Sequence, residues 1–131
     1  MKNPIGDIRS LAASGTQLVG SVPVAYNRTI FITIRGTFNG SATGNLRVNA
    51  LYSPDGDHWD TEACDYFDMT VSAGNTCQHT EAIAVPEHGN VAIQIQNMDA
   101  AYAATSIFVW MSYQSWPSWK PEERNKPEEI W

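Results

Sequence analysis

Residues Thr29 to Phe38 constrain this chain more than any other stretch. Ile30, Ile32, Ile34 and Phe38 fall on one parity, and Thr29, Phe31, Thr33, Arg35 and Thr37 on the other. A long alternation rich in β-branched side chains lines one face of a strand, whereas a helix would scatter it around its axis. Phe31 is the apolar exception on the wetter face, which implies partial cover there.

The same period recurs along the chain. Leu18, Val22 and Val24 share a parity, with Gly20 between them and Pro23 beside them. Proline cannot donate to a ladder, so this strand belongs at a sheet edge or carries a bulge. Leu46, Val48, Ala50 and Tyr52 alternate with Arg47, Asn49 and Ser53, and Val91, Ile93 and Ile95 with Ala92, Gln94 and Gln96. Weaker strand signals run from Tyr66 to Val71 and from Thr76 to Ala84. Thr105 to Tyr113 is apolar on both parities, with Ile107, Val109 and Met111 on one and Phe108 and Trp110 on the other. Such a strand is covered on both faces, or covered by a partner. Turn-forming clusters separate these runs, and no amphipathic helix stands out. The expectation is an all-β, antiparallel β-sandwich of seven to eight strands, jelly-roll or immunoglobulin-like, and the pattern leaves both topologies open.

At 131 residues the chain is expected to form one domain. Residues 1–15, with Pro4, Gly6 and Gly15, read as an N-terminal arm, residues 16–114 as the sandwich, and residues 115–131 as a C-terminal arm. That last segment packs three tryptophans, three prolines and four glutamates into seventeen residues. Its prolines forbid a long helix and favour an extended path. Trp116, Trp119 and Trp131 would be wasted in water, so the segment is expected to cover its own sandwich or a neighbouring subunit.

The formal net charge of -6, with Lys2, Arg9, Arg28, Arg35, Arg47, Lys120, Arg124 and Lys126 scattered, excludes free nucleic acid as an expected partner. No apolar run approaches the roughly 18 residues of a membrane-spanning helix, so no membrane is expected either. Pro4, Gly6 and Asp7 interrupt any signal-peptide core, and synthesis and folding in a cytoplasm is the expectation.

Leu51 to Thr61 reads as a tight β-hairpin. Within it, Ser53-Pro54-Asp55-Gly56-x-x-Trp59 resembles the Asp-box hairpin of sialidase-like propellers. This copy is one residue shorter between Asp and Trp than the usual Ser-x-Asp-x-Gly-x-Thr-Trp, and it occurs once where propellers repeat it. The resemblance implies a structural turn made by Ser53, Asp55, Gly56 and Trp59. In it Asp accepts backbone N–H bonds, Gly supplies positive φ and Trp packs under the hairpin, and Trp59 is expected to plug the sandwich there. It implies no activity.

Asp55, Asp57, Asp60, Asp65 and Asp68 do not match an EF-hand loop and read as solvated turn carboxylates. His58, His79 and His88 lie on different segments without ligand spacing. Neither a Gly-x-Ser-x-Gly elbow nor a phosphate loop is present. The expectation is therefore no catalytic residues, no metal, no cofactor and no enzyme. Cys64 and Cys77 are expected as free buried thiols. If Ser72-Ala73-Gly74-Asn75 turned a hairpin, Cys77 would face Thr70 and Cys64 would lie opposite the region of Ile83.

Trp59, Trp110, Trp116 and Trp119 with Tyr26, Tyr52, Tyr102 and Tyr113 are numerous enough for a sugar-stacking platform, although core and interface packing is the expected role. The size, the Val/Thr-rich strands, the single Ser-Pro-Asp-Gly-x-x-Trp-Asp-Thr hairpin and the adhesive tail resemble the small β-sandwich proteins of tailed-phage virions. Those are the head-decoration, neck and tail-accessory class. The resemblance implies a protein that forms a homo-oligomer such as a trimer, binds a major capsid or tail protein, and resides in the virion. Ile5, Ile8, Leu11, Trp110, Trp116, Trp119, Ile130 and Trp131 are its candidate subunit-interface residues. A carbohydrate- or cell-surface-binding module and a non-viral filament or shell subunit are the alternatives.

Overall fold

The alternating runs become eight antiparallel strands in a computed structural model that describes residues 4–24, 28–86 and 88–115. They are β1 (Gly6–Leu11), β2 (Thr16–Val24), β3 (Arg28–Thr37), β4 (Leu46–Ser53), β5 (Asp65–Met69), β6 (Thr76–Ile83), β7 (Gly89–Asn97) and β8 (Ala104–Ser115). A front sheet has the order β1-β8-β3-β6 and a back sheet the order β2-β7-β4-β5. The pairs β4 with β5, β3 with β6, β2 with β7 and β1 with β8 are nested about the β4–β5 connection, and alternate pairs fall in opposite sheets. Contacts β3 with β8 and β4 with β7 then join the pairs within each sheet. Nested pairing of this kind is the jelly roll, so the topology left open by pattern is decided in its favour.

The core lies between the sheets. Ile30, Ile32 and Ile34 of β3 and Ile107 and Val109 of β8 face Leu46, Val48 and Ala50 of β4 and Val91, Ile93 and Ile95 of β7. All of these side chains are fully buried. Burying each large aliphatic contributes about 1.5–3 kcal/mol, which is why each of the four central strands carries a row of aliphatics on its inward parity. Pro23 sits on β2, an edge strand, where its missing donor costs no ladder bond to a second neighbour.

Four expectations are corrected. Gly6–Leu11 is not an arm: it is edge strand β1 of the front sheet, paired with β8 from Gly6↔Val109 to Leu11↔Ala104. Short and interrupted by glycine and serine, it carries too few apolar side chains to show a period, yet Ile8 and Leu11 drop into the core. The stretch Ser72–Asn75 does not turn a hairpin either. It carries the chain from β5 in the back sheet to β6 in the front sheet, so Cys77 pairs with Gly36 of β3 rather than with Thr70. Cys64 and Cys77 are unbridged, Cys64 being exposed rather than buried. Leu18 points away from the core because a bulge between Leu18 and Gly20 inverts the parity of β2. The C-terminal segment from Trp116 onward lies outside the described residues.

One end of the sandwich is closed by polar groups instead of aliphatics. Asn97, almost fully buried, donates through Nδ2 to the carbonyls of Leu11, Ala12 and Tyr102. Its neighbour Asp99 accepts from the N–H groups of Thr43 (2.7 Å) and Gly44 (3.0 Å) on Oδ2, and of Ala101 and Tyr102 (both 2.8 Å) on Oδ1. The β1–β2, β3–β4 and β7–β8 connections are thereby tied together. Four N–H donors hold the Asp99 carboxyl well below the usual carboxylate range. A Cβ at Gly44 would collide with the Asp99 backbone, so only glycine permits this approach.

Asp99→Asn keeps the shape but turns donors against donors, and Gly44→Ala forces the loops apart. Both variants should melt below the wild type in circular dichroism. A depressed carboxyl stabilises the fold above its unfolded pKa of about 3.9, and that stabilisation fades as pH falls toward the folded value. The melting gap between wild type and Asp99→Asn should therefore hold near neutrality and narrow below about pH 4. A gap that widens on acidification would contradict the assignment.

Candidate functional site

The turn resembling an Asp box is built by side chains acting on backbone. Ser53 Oγ, fully buried, accepts from Gly56 N at 2.8 Å and Asp55 N at 3.3 Å, and donates to Asp55 Oδ1 at 3.1 Å. Asp55 Oδ1 accepts from Asp57 N and His58 N at 2.8 and 2.9 Å, while Oδ2 meets His58 Nδ1 at 2.7 Å. The His58 and Asp57 backbone donors and then the His58 ring hold the Asp55 carboxyl far below its ordinary range. Gly56 takes φ +85°, the left-handed region.

Two features differ from expectation. The connection from β4 to β5 spans residues 54–64 instead of a tight turn, because Asp60 N still pairs with Tyr52 O and Cys64 N with Ala50 O. Trp59 is half-buried on this loop, and among the described residues it is not part of the core, so it does not plug the sandwich.

Several of the acidic and imidazole groups have local partners. Asp65 accepts from Tyr66 N and Ala84 N, Asp68 pairs with Arg47, and His79 Nε2 meets Glu81 Oε1 at 2.9 Å on the surface. The His88 carbonyl accepts from Tyr52 Oη at 2.9 Å. Among the described residues no three His, Cys, Asp or Glu side chains converge as metal ligands.

The expected interface residues scatter. Ile8 and Leu11 are 3% and 5% exposed and belong to the protein's own core, so they are unavailable to a neighbour. Ile5 stays at the surface, its N–H donated to Val109 O. Trp116, Trp119, Ile130 and Trp131 lie outside the described residues, as does Tyr26 of the candidate sugar platform. Tyr52 lies on β4 of the back sheet, Trp59 on the β4–β5 connection, Tyr102 on the β7–β8 connection and Trp110 on β8 of the front sheet, so these four are spread over separate parts of the sandwich.

Trp110 instead joins two phenylalanines on the outer face of the front sheet. Register places Phe31 opposite Ser112, Thr33 opposite Trp110 and Arg35 opposite Phe108. The Phe108 and Trp110 ring centroids are 6.1 Å apart, and all three aromatics are half-buried. Toward β6 the face turns polar, with Thr33 and Thr80 hydroxyls 2.7 Å apart, Thr37 and Thr76 at 2.8 Å, and between them Arg35 Nη1 donating to Gln78 Oε1 at 3.4 Å. These cross-strand pairs brace the sheet beneath the aromatics.

The outer face of the back sheet is different in kind, and sequence pattern had placed Arg47, Asn49, Gln94 and Gln96 only on the polar parity of their strands. Asn49 Nδ2 donates to Gln94 Oε1 and to Gln96 Oε1, both at 3.1 Å. Arg47 makes a bidentate pair with Asp68 (2.8 and 3.1 Å), and its guanidinium lies 4.2 Å from the Tyr66 ring centroid. The hydrogen bond to Asp68 raises the Arg47 pKa further. The one signal in the sequence was an amide at corresponding wet positions of two neighbouring strands, legible only once β4 and β7 are known to pair.

No protein-family model matches the chain, and no curated protein does. Among solved structures the chain is similar to the "Family 16 Carbohydrate Binding Module-2", at 11% identity and TM-score 0.49, covering 81% of this chain and 74% of that one. It is also similar to the Clostridium thermocellum N-terminal endo-1,4-beta-D-xylanase 10B, CBM22-1-GH10 modules complexed with xylohexaose, at 10% identity and TM-score 0.47. A third likeness is to the T13 IBDV viral particle, at 10% identity and TM-score 0.45. The matches cover 83% and 86% of this chain but only 28% and 34% of those two. Likenesses this distant transfer no site, and the assignment of the sandwich rests on its strand order.

Gly56→Val tests the turn. A β-branched side chain resists positive φ, so stability should fall by about 1–2 kcal/mol in urea denaturation. An unchanged midpoint would refute the role of Gly56.

Proposed function

We propose that the chain is a non-enzymatic structural subunit of a tailed-phage virion, a decoration or stabilising protein that self-associates and docks on a capsid or tail lattice. The observation that carries the reading is the grouping of Phe31, Phe108 and Trp110 on the outside of the front sheet. These side chains sit on its two central strands, where no turn or edge requires an aromatic. Phe31 and Trp110, framed by neutral Thr33, Thr80, Ser112 and Ala82, have the composition of an interface centre, and Phe108 lies directly between the charged Asp7 and Arg35. Burying them against a neighbour returns roughly 25 cal/mol per Å² of apolar surface.

Chemistry is not supported by what surrounds the titratable groups. Asp55, Asp65 and Asp99 are engaged by backbone donors that a substrate would have to displace. The tryptophan-rich segment follows β8 directly in sequence and is the proposed second contact.

Size-exclusion chromatography with light scattering tests the reading on the full chain. The wild type should run as a trimer or higher ring. Phe108→Ser and Trp110→Ser should each shift it toward monomer with far-ultraviolet circular dichroism unchanged. A wild type that is strictly monomeric at micromolar concentration would overturn the proposal.

A further inference from the structure

We infer that the outer face of the back sheet is a binding site for a neutral oligosaccharide. The register sets Leu18, Gln94, Asn49 and Tyr66 side by side across β2, β7, β4 and β5. Three inter-strand spacings make this lane roughly 14 Å long. Beside it run Thr16, Gln96, Arg47 and Asp68.

Hydrogen-bond accounting points outward from the centre of the lane. Asn49 is only 7% exposed, and both its N–H groups are used on the two glutamine carbonyls. Its own Oδ1, and the Nε2 groups of Gln94 and Gln96, have no protein partner among the described residues. Turning all three amides over exchanges donors for acceptors and leaves as many groups free. A polar atom on so buried an amide is costly to leave unpaired, and a row of three amides holding each other in place is an ordered set of donors and acceptors.

The ligand's charge and shape follow from the flanks. Arg47 is neutralised by its bidentate pair with Asp68, so the lane offers no free cation to an anion and no free carboxylate to a cation. Hydroxyl groups, which donate and accept at once, match such uncharged amides best. At one end Tyr66 is 53% exposed, its ring fixed by the Arg47 guanidinium, and at the other Leu18 is 58% exposed. A pyranose presents an apolar C–H face and an equatorial rim of hydroxyls, so it can stack on Tyr66 while its hydroxyls reach the amides. None of these residues belongs to the aromatic face of the front sheet, and the site stands or falls independently of assembly.

Isothermal titration of the full chain with neutral hexasaccharides (a β-1,4-glucan, a β-1,4-xylan and an α-1,4-glucan) tests the site, with sulfated heparin hexasaccharide as the charged control. At least one neutral probe should bind saturably. Gln94→Ala/Gln96→Ala and Tyr66→Ala should each weaken it roughly tenfold or more, the loss expected for one or two contacts, with the far-ultraviolet circular dichroism of the folded protein retained, and the double variant, which strips Asn49 of both acceptors, should melt lower. Tyr66→Phe should retain the stacking and the affinity. The inference is overturned if no neutral probe binds at millimolar concentration, if heparin binds better, or if the variants bind like wild type. It is also overturned if the variants change only the oligomeric state, since the face would then be a contact between copies.

Discussion

Nested antiparallel pairing is the constraint on which everything else in this protein depends. Each strand from β1 to β4 pairs with its mirror partner from β8 to β5, so the chain is a double ribbon whose tip is the β4–β5 connection. Folding that ribbon over itself places alternate pairs in opposite sheets and brings β3 against β8 and β4 against β7. The central strands become buried on their inner side, and the loops gather at two ends. Ser53, Asp55 and Gly56 hold the tip, while Asn97 and Asp99 fasten the opposite end with hydrogen bonds no aliphatic side chain could supply. A shift of one residue in any central pair would carry its isoleucines to the solvent.

What the sequence made legible follows from the same constraint. β3, β4 and β7 show their period because each buries a full row of aliphatics, and with the inward row of β8 they form the centre of the core. β1 was invisible because an edge strand of six residues needs only Ile8 and Leu11 to pay its way. Leu18 was misassigned because parity is read on an unbroken strand and a bulge resets it. The partner of Cys77 could not be read, since hairpin reasoning assumes consecutive strands share a sheet, and a jelly roll sends β5 and β6 to different ones. The amide lane escaped for a related reason: Asn49, Gln94 and Gln96 are three ordinary polar residues until pairing puts them in contact.

The two outer faces that result are chemically distinct. On the front sheet, Phe31, Phe108 and Trp110 offer apolar area suited to a protein neighbour. On the back sheet, paired charges and amides offer directional hydrogen bonds with little apolar area beyond Tyr66 and Leu18. Because the core is a continuous layer of packed apolar side chains, the faces are held in fixed opposition. A subunit whose front face is anchored would present its back face away from the anchor, an arrangement suited to display.

Hydrogen–deuterium exchange of the full chain, compared between dilute and concentrated solution, tests this two-faced account most directly. Protection should rise with concentration in peptides from β3 and β8 and stay constant in peptides from β4 and β7. Concentration-dependent protection of β4 and β7 instead, or of neither sheet, would contradict it.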